Sequence, residues 1–220
     1  QDMAPVAPVV AAPRAAMDSN QMWVEKWRPS TLSDLVSNEE VLGTIRRLID
    51  ANRMPNMLLY GPPGTGKTSS VLACARQLNG DAYGAMTLEL NASDDRGLSV
   101  VRDRIKTFAS TKKIFSHGYK LIILDEADAM TKDAQFALRR IMEKYSKTAR
   151  FVIICNYLNK IIPALQSRCT RFRFAPLKKS QVEGRLKDIA QAEGVEMDTK
   201  GLNALIKLSG GDMRKCINVM

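Results

Sequence analysis

The sequence is short of cysteine, of acidic charge and of long apolar runs, and each shortage closes off a class of protein. Its four cysteines, Cys74, Cys155, Cys169 and Cys216, are scattered without a C-x-x-C pair. That spacing suits neither a zinc site nor a disulfide framework, and a reducing compartment fits it best. No apolar stretch is long enough to span a bilayer, so no membrane partner is expected. Residues 1–21 are rich in Ala, Pro and Val but too broken by proline for a signal-peptide core, and they read as a disordered tail. No internal repeat recurs. Acids are outnumbered, 23 Asp and Glu against 33 Lys and Arg. The resulting net charge of +10 leans towards a polyanionic partner, weakly when taken alone. The chain opens without Met and stops at Met220 inside a helical pattern, so a piece of a longer protein is expected.

What is present centres on one stretch. The apolar run Leu58-Leu59-Tyr60 leads into Gly61-Pro62-Pro63-Gly64-Thr65-Gly66-Lys67-Thr68, and a helical pattern opens at Ser69. This is the phosphate-loop spacing G-x-x-x-x-G-K-T. A backbone that wraps a phosphate must turn tightly and point N–H groups inward, which glycines permit. The N-terminus of the following helix adds partial positive charge. Lys67 can reach the β- and γ-phosphates, and the Thr68 hydroxyl can ligate Mg²⁺. The alternative, a surface turn that matches by accident, is disfavoured by the strand before and the helix after.

The rest of the chain supplies a frame for that loop. Thr31 to Asp50 reads as a helical region with Val41, Leu42, Ile45, Leu48 and Ile49 at helical spacing. Strands are expected at 86–90, 120–124, 151–155 and 171–174, besides the run before the loop. Ser93 or Asp94 can cap the helix bearing Ile105 and Phe108, and Thr131 the helix bearing Leu138 and Ile141. Strands alternating with helices, apolar on both faces, predict a three-layer α/β parallel sheet. Beyond Pro176 only helices are expected. Ser180 with Glu183 forms a capping box, Gly194 a stop, Asp198 or Thr199 a second cap, and Asp212 a third start.

Further positions bear on chemistry. Asp125 ends the third strand, where ligands of parallel sheets bind, and can hold Mg²⁺. Glu126 beside it could polarise a water for attack on the γ-phosphate; otherwise it is a capping acid. Asn156 ends the fourth strand and can bond both the γ-phosphate and that water, or serve as a turn residue. Arg168 and Arg214 are solvated surface charges by default, but a guanidinium at the γ-phosphate can speed hydrolysis by roughly 10³–10⁵.

Together these motifs resemble the AAA+ ATPases, and closely the small subunits of the clamp loader replication factor C. The matching pieces are Trp23 to Pro29, Gly61 to Thr68, Leu90 to Gly97, Leu124 to Asp128, Ala137 to Arg140, Ser167 to Cys169 and Gly211 to Arg214. They cover nearly all of the chain from Met22 onward, and residues 156–174 single out one branch of those subunits. The resemblance implies a P-loop NTPase (AAA+) parallel sheet over residues 22–175, followed by a small all-helical lid domain over 176–220. The family's third, collar domain is absent from these residues. Val24 and Arg28 would line the adenine pocket. Asn156 and Arg214 would read the γ-phosphate in the same subunit, and Arg168 would reach the neighbour's site. Arg96 and Arg102 match positions that track duplex phosphates, or else form an exposed helix face. The implied cofactors are ATP and Mg²⁺. The implied partners are the other replication factor C subunits in a hetero-pentamer, the sliding clamp (proliferating cell nuclear antigen) and primer-template DNA. The implied location is the nucleus. An isolated chain of this length is expected to hydrolyse ATP poorly.

Rival readings are fewer. Asp125 to Asp128 spell the DEAD-box motif, but these residues leave no room for such a helicase's second α/β domain. A binding-only module conflicts with intact Lys67, Thr68, Asp125 and Glu126. Another AAA+ remodeller, such as a helicase loader, is the most serious alternative.

Overall fold

Alternation along the strands dictates the architecture. The computed structural model describes residues 21–35, 38–93, 98–111 and 119–220. The expected tail lies outside them except for Gln21, as do Asp94 and Arg96. Five strands form one parallel sheet: β1 Met57–Tyr60, β2 Thr87–Asn91, β3 Lys120–Asp125, β4 Ala149–Cys155 and β5 Thr170–Arg173, in the order β2-β3-β4-β1-β5. The helices are α1 Trp23–Lys26, α2 Glu39–Asp50, α3 Lys67–Asn79, α4 Tyr83–Met86, α5 Leu98–Ser110, α6 Lys132–Lys144, α7 Pro163–Gln166, α8 Lys179–Glu193, α9 Thr199–Ser209 and α10 Met213–Val219.

Successive strand side chains point to opposite faces, so the apolar strands build two cores at once. On one face Met57, Leu59, Ile123, Val152 and Ile154 meet Ile45 and Ile49 of α2 and Val71 and Cys74 of α3. On the other, Leu58, Ile122, Phe151 and Ile153 meet Ile105 of α5 and Leu138, Ile141 and Met142 of α6. The three-layer expectation is met: a parallel sheet covered on both faces has little need of polar alternation. Among the described residues no helix is long and apolar enough to cross a membrane.

A third cluster joins α8, α9 and α10 through Val182, Leu186, Ile189, Leu202, Cys216 and Ile217. Trp23, Val24 and Trp27 pack against it, so the N-terminal aromatic stretch belongs to the helices beyond Pro176 rather than to the sheet. Trp27 Nε1 donates to Glu193 Oε1 at 2.7 Å, and Lys26 Nζ stands 2.6 Å from the same oxygen. Lys26 first, then the Trp27 bond, hold the Glu193 carboxyl below its usual range.

Several local expectations need correction. Thr31 to Asp50 is not one helix: a 3-10 turn at Leu32–Asp34 precedes α2, with Asn38 at φ 59° between them. The Asp34 carboxylate accepts from the Ser30 and Thr31 N–H groups, which favours a closed turn over a continuous helix. Ser93 N–H and Oγ donate to Asn91 Oδ1, and the expected cap by Ser93 or Asp94 involves residues outside the described ones. Strands β2, β4 and β5 are each displaced or extended by one or two residues relative to the apolar runs, as expected where edges are set by pairing. The box at Ser180 and Glu183 does not form: α8 starts at Lys179, and the Lys178 N–H donates to Gln181 Oε1 at 3.0 Å. Glu183 pairs with Lys187 at 2.8 Å instead. Thr131, Asp198 and Asp212 cap as expected, and Gly194 stops α8 at φ 68°.

Candidate functional site

The chain leaves β1, crosses to the far edge, returns through β3 and β4, and closes with β5 on the other side of β1. The carboxyl end of β1 is therefore a reversal point of strand order, where ligands of open α/β sheets bind. Gly61 opens the loop there at φ 142°, and a Cβ on it would fall 2.1 Å from the Phe174 carbonyl oxygen. No other residue fits that close approach.

Above the rim lies an open cleft of about 1050 Å³ counted with its mouth. Its floor is the loop from Pro63 to Thr68 with Ser69. Its walls come from Asp125 and Glu126 at the end of β3, Asn156 after β4, Val24, Glu25, Trp27, Arg28 and Pro29 around α1, and Leu177 with Met213, Arg214 and Ile217 from the helical segment. Widely separated stretches thus meet at one place, and the apolar lining gathers at α1 and α10 beside Arg28 and Arg214.

Lys67 is the polar hub. It is 6% exposed, and its Nζ donates to Gly61 O and Pro62 O, each at 2.8 Å, and to Asn156 Oδ1 at 3.0 Å. Burial pushes its ammonium below the usual lysine value; Asp125 opposes that shift and Arg214 adds to it. Thr68 Oγ1 donates to Asp125 Oδ2 at 2.7 Å, while Asp125 Oδ1 accepts the Glu126 N–H at 2.8 Å. Glu126 sits at φ 54° with its side chain exposed at the mouth. The hydroxyl and carboxylate together are a hard-oxygen pair of the kind Mg²⁺ takes alongside phosphates and water. Among the described residues no group of three or more His, Cys, Asp or Glu could hold a metal by itself.

The helical segment is pinned to the loop. Met213 N–H donates to Gly64 O at 3.3 Å, and a Cβ on Gly64 would fall 1.8 Å from Asp212 Oδ1. The same Asp212 oxygen accepts the Arg214 N–H at 3.0 Å, setting Arg214 over the loop. Val24 and Arg28 line the cleft beside α10, and Arg28 Nη1 pairs with Glu25 Oε2 at 3.2 Å. Trp27, Leu35, Leu177, Met213 and Ile217 also line the cleft and were not anticipated. No local signal singles them out, because a lining and a core have the same apolar composition.

Two expected residues lie elsewhere. Arg168 stands after α7 and before β5, at the opposite end of the strands from the cleft. Its Nε donates to Glu143 Oε1 at 2.8 Å, and Nη1 to Ala164 O at 2.7 Å. Arg102 lies on α5 with its side chain 49% exposed, 3.6 Å from Asp103.

Residues 57–177 match the model of the ATPase family associated with various cellular activities (AAA). The chain is 57% identical over 219 residues, 99% of its length, to replication factor C subunit 5 of Mus musculus, and covers 65% of that protein. It is 56% identical over 209 residues, 94% of its length, to subunit 5 of Homo sapiens, covering 62% of it. It is 54% identical over 201 residues, 91% of its length, to replication factor C subunit 3 of Saccharomyces cerevisiae, covering 59% of it. The chain thus spans less than two thirds of these relatives. Among solved structures, a point mutant of Thermotoga maritima RuvB superposes with TM-score 0.69 at 16% identity, over 88% of this chain and 64% of that one, a likeness of fold.

Proposed function

Because this chain belongs to the ATPase family associated with various cellular activities, we propose that its cleft binds and hydrolyses ATP with Mg²⁺, as one subunit of a replication factor C clamp loader. The observation that carries the first part is the meeting of Lys67, Thr68, Asp125, Asn156 and Arg214 at one strand rim. High identity to replication factor C subunits supports the second.

In this reading the phosphates lie along Gly61 to Ser69, and Lys67 trades its loop carbonyls for β- and γ-oxygens. Thr68 and Asp125 would hold Mg²⁺, which when bound neutralises charge on the phosphate oxygens. Glu126 takes a proton from the attacking water, and Asn156 orients that water and the γ-phosphate. The base lies against Val24, Arg28, Leu177 and Ile217. Arg214 contacts the γ-phosphate from the helical segment, so the working division is residues 22–175 for the sheet and 176–220 for a lid. Arg168, placed away from its own cleft, serves the site of a neighbouring subunit. Hydrolysis is then a property of the assembly.

The remaining parts extend the same reading. The other subunits complete a hetero-pentamer that opens the sliding clamp and places it on primer-template DNA in the nucleus. ATP binding drives opening, and hydrolysis releases the clamp. Arg102 and Arg96 follow duplex phosphates, with Arg96 outside the described residues. Glu126→Gln tests the chemistry: the assembled variant should keep ATP binding and lose turnover at this site by at least about 10², the usual worth of a positioned base. Unchanged turnover removes Glu126 from the mechanism.

A further inference from the structure

An exposed arginine ordinarily samples many rotamers, and fixing it costs conformational entropy. Arg168 is already fixed while its side chain stays 36% exposed. Glu143 Oε1 lies 2.8 Å from Nε and 2.6 Å from Nη2, along one edge of the guanidinium, and Ala164 O holds Nη1 at 2.7 Å. Glu143 occupies the last turn of α6, where the negative end of the helix dipole disfavours a carboxylate unless cations stand beside it. Arg139, one turn earlier, places its Nε 3.8 Å from the same oxygen; that nitrogen is buried and has no hydrogen-bond partner. Two arginines share one carboxylate, so the trio keeps a net positive charge towards solvent.

We propose that Glu143 is a positioning residue for Arg168: it aligns the guanidinium in advance for the γ-phosphate of the neighbouring subunit. The proposal rests on the reading of Arg168 as an arginine supplied across an interface. Preorganisation lowers the ordering cost when the phosphate arrives. The advantage belongs to the transition state, where charge on the γ-phosphate develops.

The test uses the assembled loader with every ATP site silenced except the one that receives Arg168, and measures single-turnover hydrolysis against ATP concentration. Glu143→Ala is expected to lower the maximal rate about three- to tenfold, the worth of ordering one long side chain, at unchanged half-saturation. Glu143→Gln, which keeps the shape and an acceptor oxygen, should fall between and serves if the alanine variant fails to assemble. Arg168→Ala should lose more, and adding Glu143→Ala to it should change nothing further. A normal or faster rate in both Glu143 variants, with Arg168→Ala slow, overturns the role of Glu143 alone. A rate loss from Glu143→Ala that persists in the Arg168→Ala background makes it merely structural and also overturns the proposal. A normal rate in Arg168→Ala overturns the underlying reading of that arginine.

Discussion

Lys67 shows how a single residue can carry a binding site and a stability cost together. Its ammonium is buried, and burial holds its pKa below 10.5 despite Asp125 nearby. Between that lowered value and 10.5 the unfolded chain binds more protons than the folded one, so this residue's contribution to stability rises with pH across the window. Phosphate charge acts in the opposite direction, because an anion beside the ammonium restores its proton. ATP affinity is therefore expected to fall as pH rises through the same window, with proton uptake on binding. Titration calorimetry in buffers of different ionisation heat measures both, and a pH-independent affinity up to 10.5 would contradict the assignment. The cysteines are at the other extreme. Burial pushes Cys74, Cys155 and Cys169 up to about 12, so the folded protein should resist alkylation at mildly alkaline pH and react only on unfolding.

At the scale of elements, the joint between the phosphate loop and α10 controls how the helical segment responds to the cleft. Asp212 caps α10 and abuts Gly64, which sits at φ 69°. Gly64→Ala adds backbone strain and a collision with that carboxylate. It should destabilise by about 1–3 kcal/mol and push α10 off the loop, seen as a lower melting temperature and weaker ATP binding. Asp212→Ala removes the cap, for roughly 0.5–2 kcal/mol, and frees the Arg214 helix. Its ATP affinity should fall by more than that of a cap removed from α6 by Thr131→Ala, and equal losses would argue that Asp212 has no part beyond capping.

These elements also show what was legible in the chain. The phosphate loop, the buried strands and the caps at Thr131, Asp198 and Asp212 rest on residues a few positions apart, and local pattern suffices to find them. The order β2-β3-β4-β1-β5 is set by pairing between distant segments and had no local trace. The same holds for Trp27 on Glu193, 166 residues away, and for Glu143 on Arg168. Thus Asp125, Glu126 and Asn156 stand at the cleft because they end strands, which a pattern can show. Val24 was expected there only through the family resemblance, and Leu35, Leu177, Met213 and Ile217 were not, because the apolar half of the cleft is assembled from both ends of the chain.

Across the whole molecule, the cations fall into two kinds. Arg28, Lys67, Arg185 and Arg214 line the cleft of their own chain; Arg168 and Arg102 do not. Arg102→Ala with Arg96→Ala should weaken DNA-stimulated ATPase of the assembly and flatten its salt dependence by roughly 0.9 per lost phosphate contact in log K against log salt. An unchanged salt slope would remove DNA from the reading. The net charge of +10 sets the sign of such partners without choosing among them. Everything else depends on a nucleotide in the cleft, and equilibrium titration of Mg·ATP against the wild-type chain and Lys67→Ala addresses that most directly. Saturable binding by the wild type is expected, with affinity at least about tenfold weaker in the variant, the worth of one lost charge-assisted contact. Equal affinity in both, or no binding by the wild type, would contradict it.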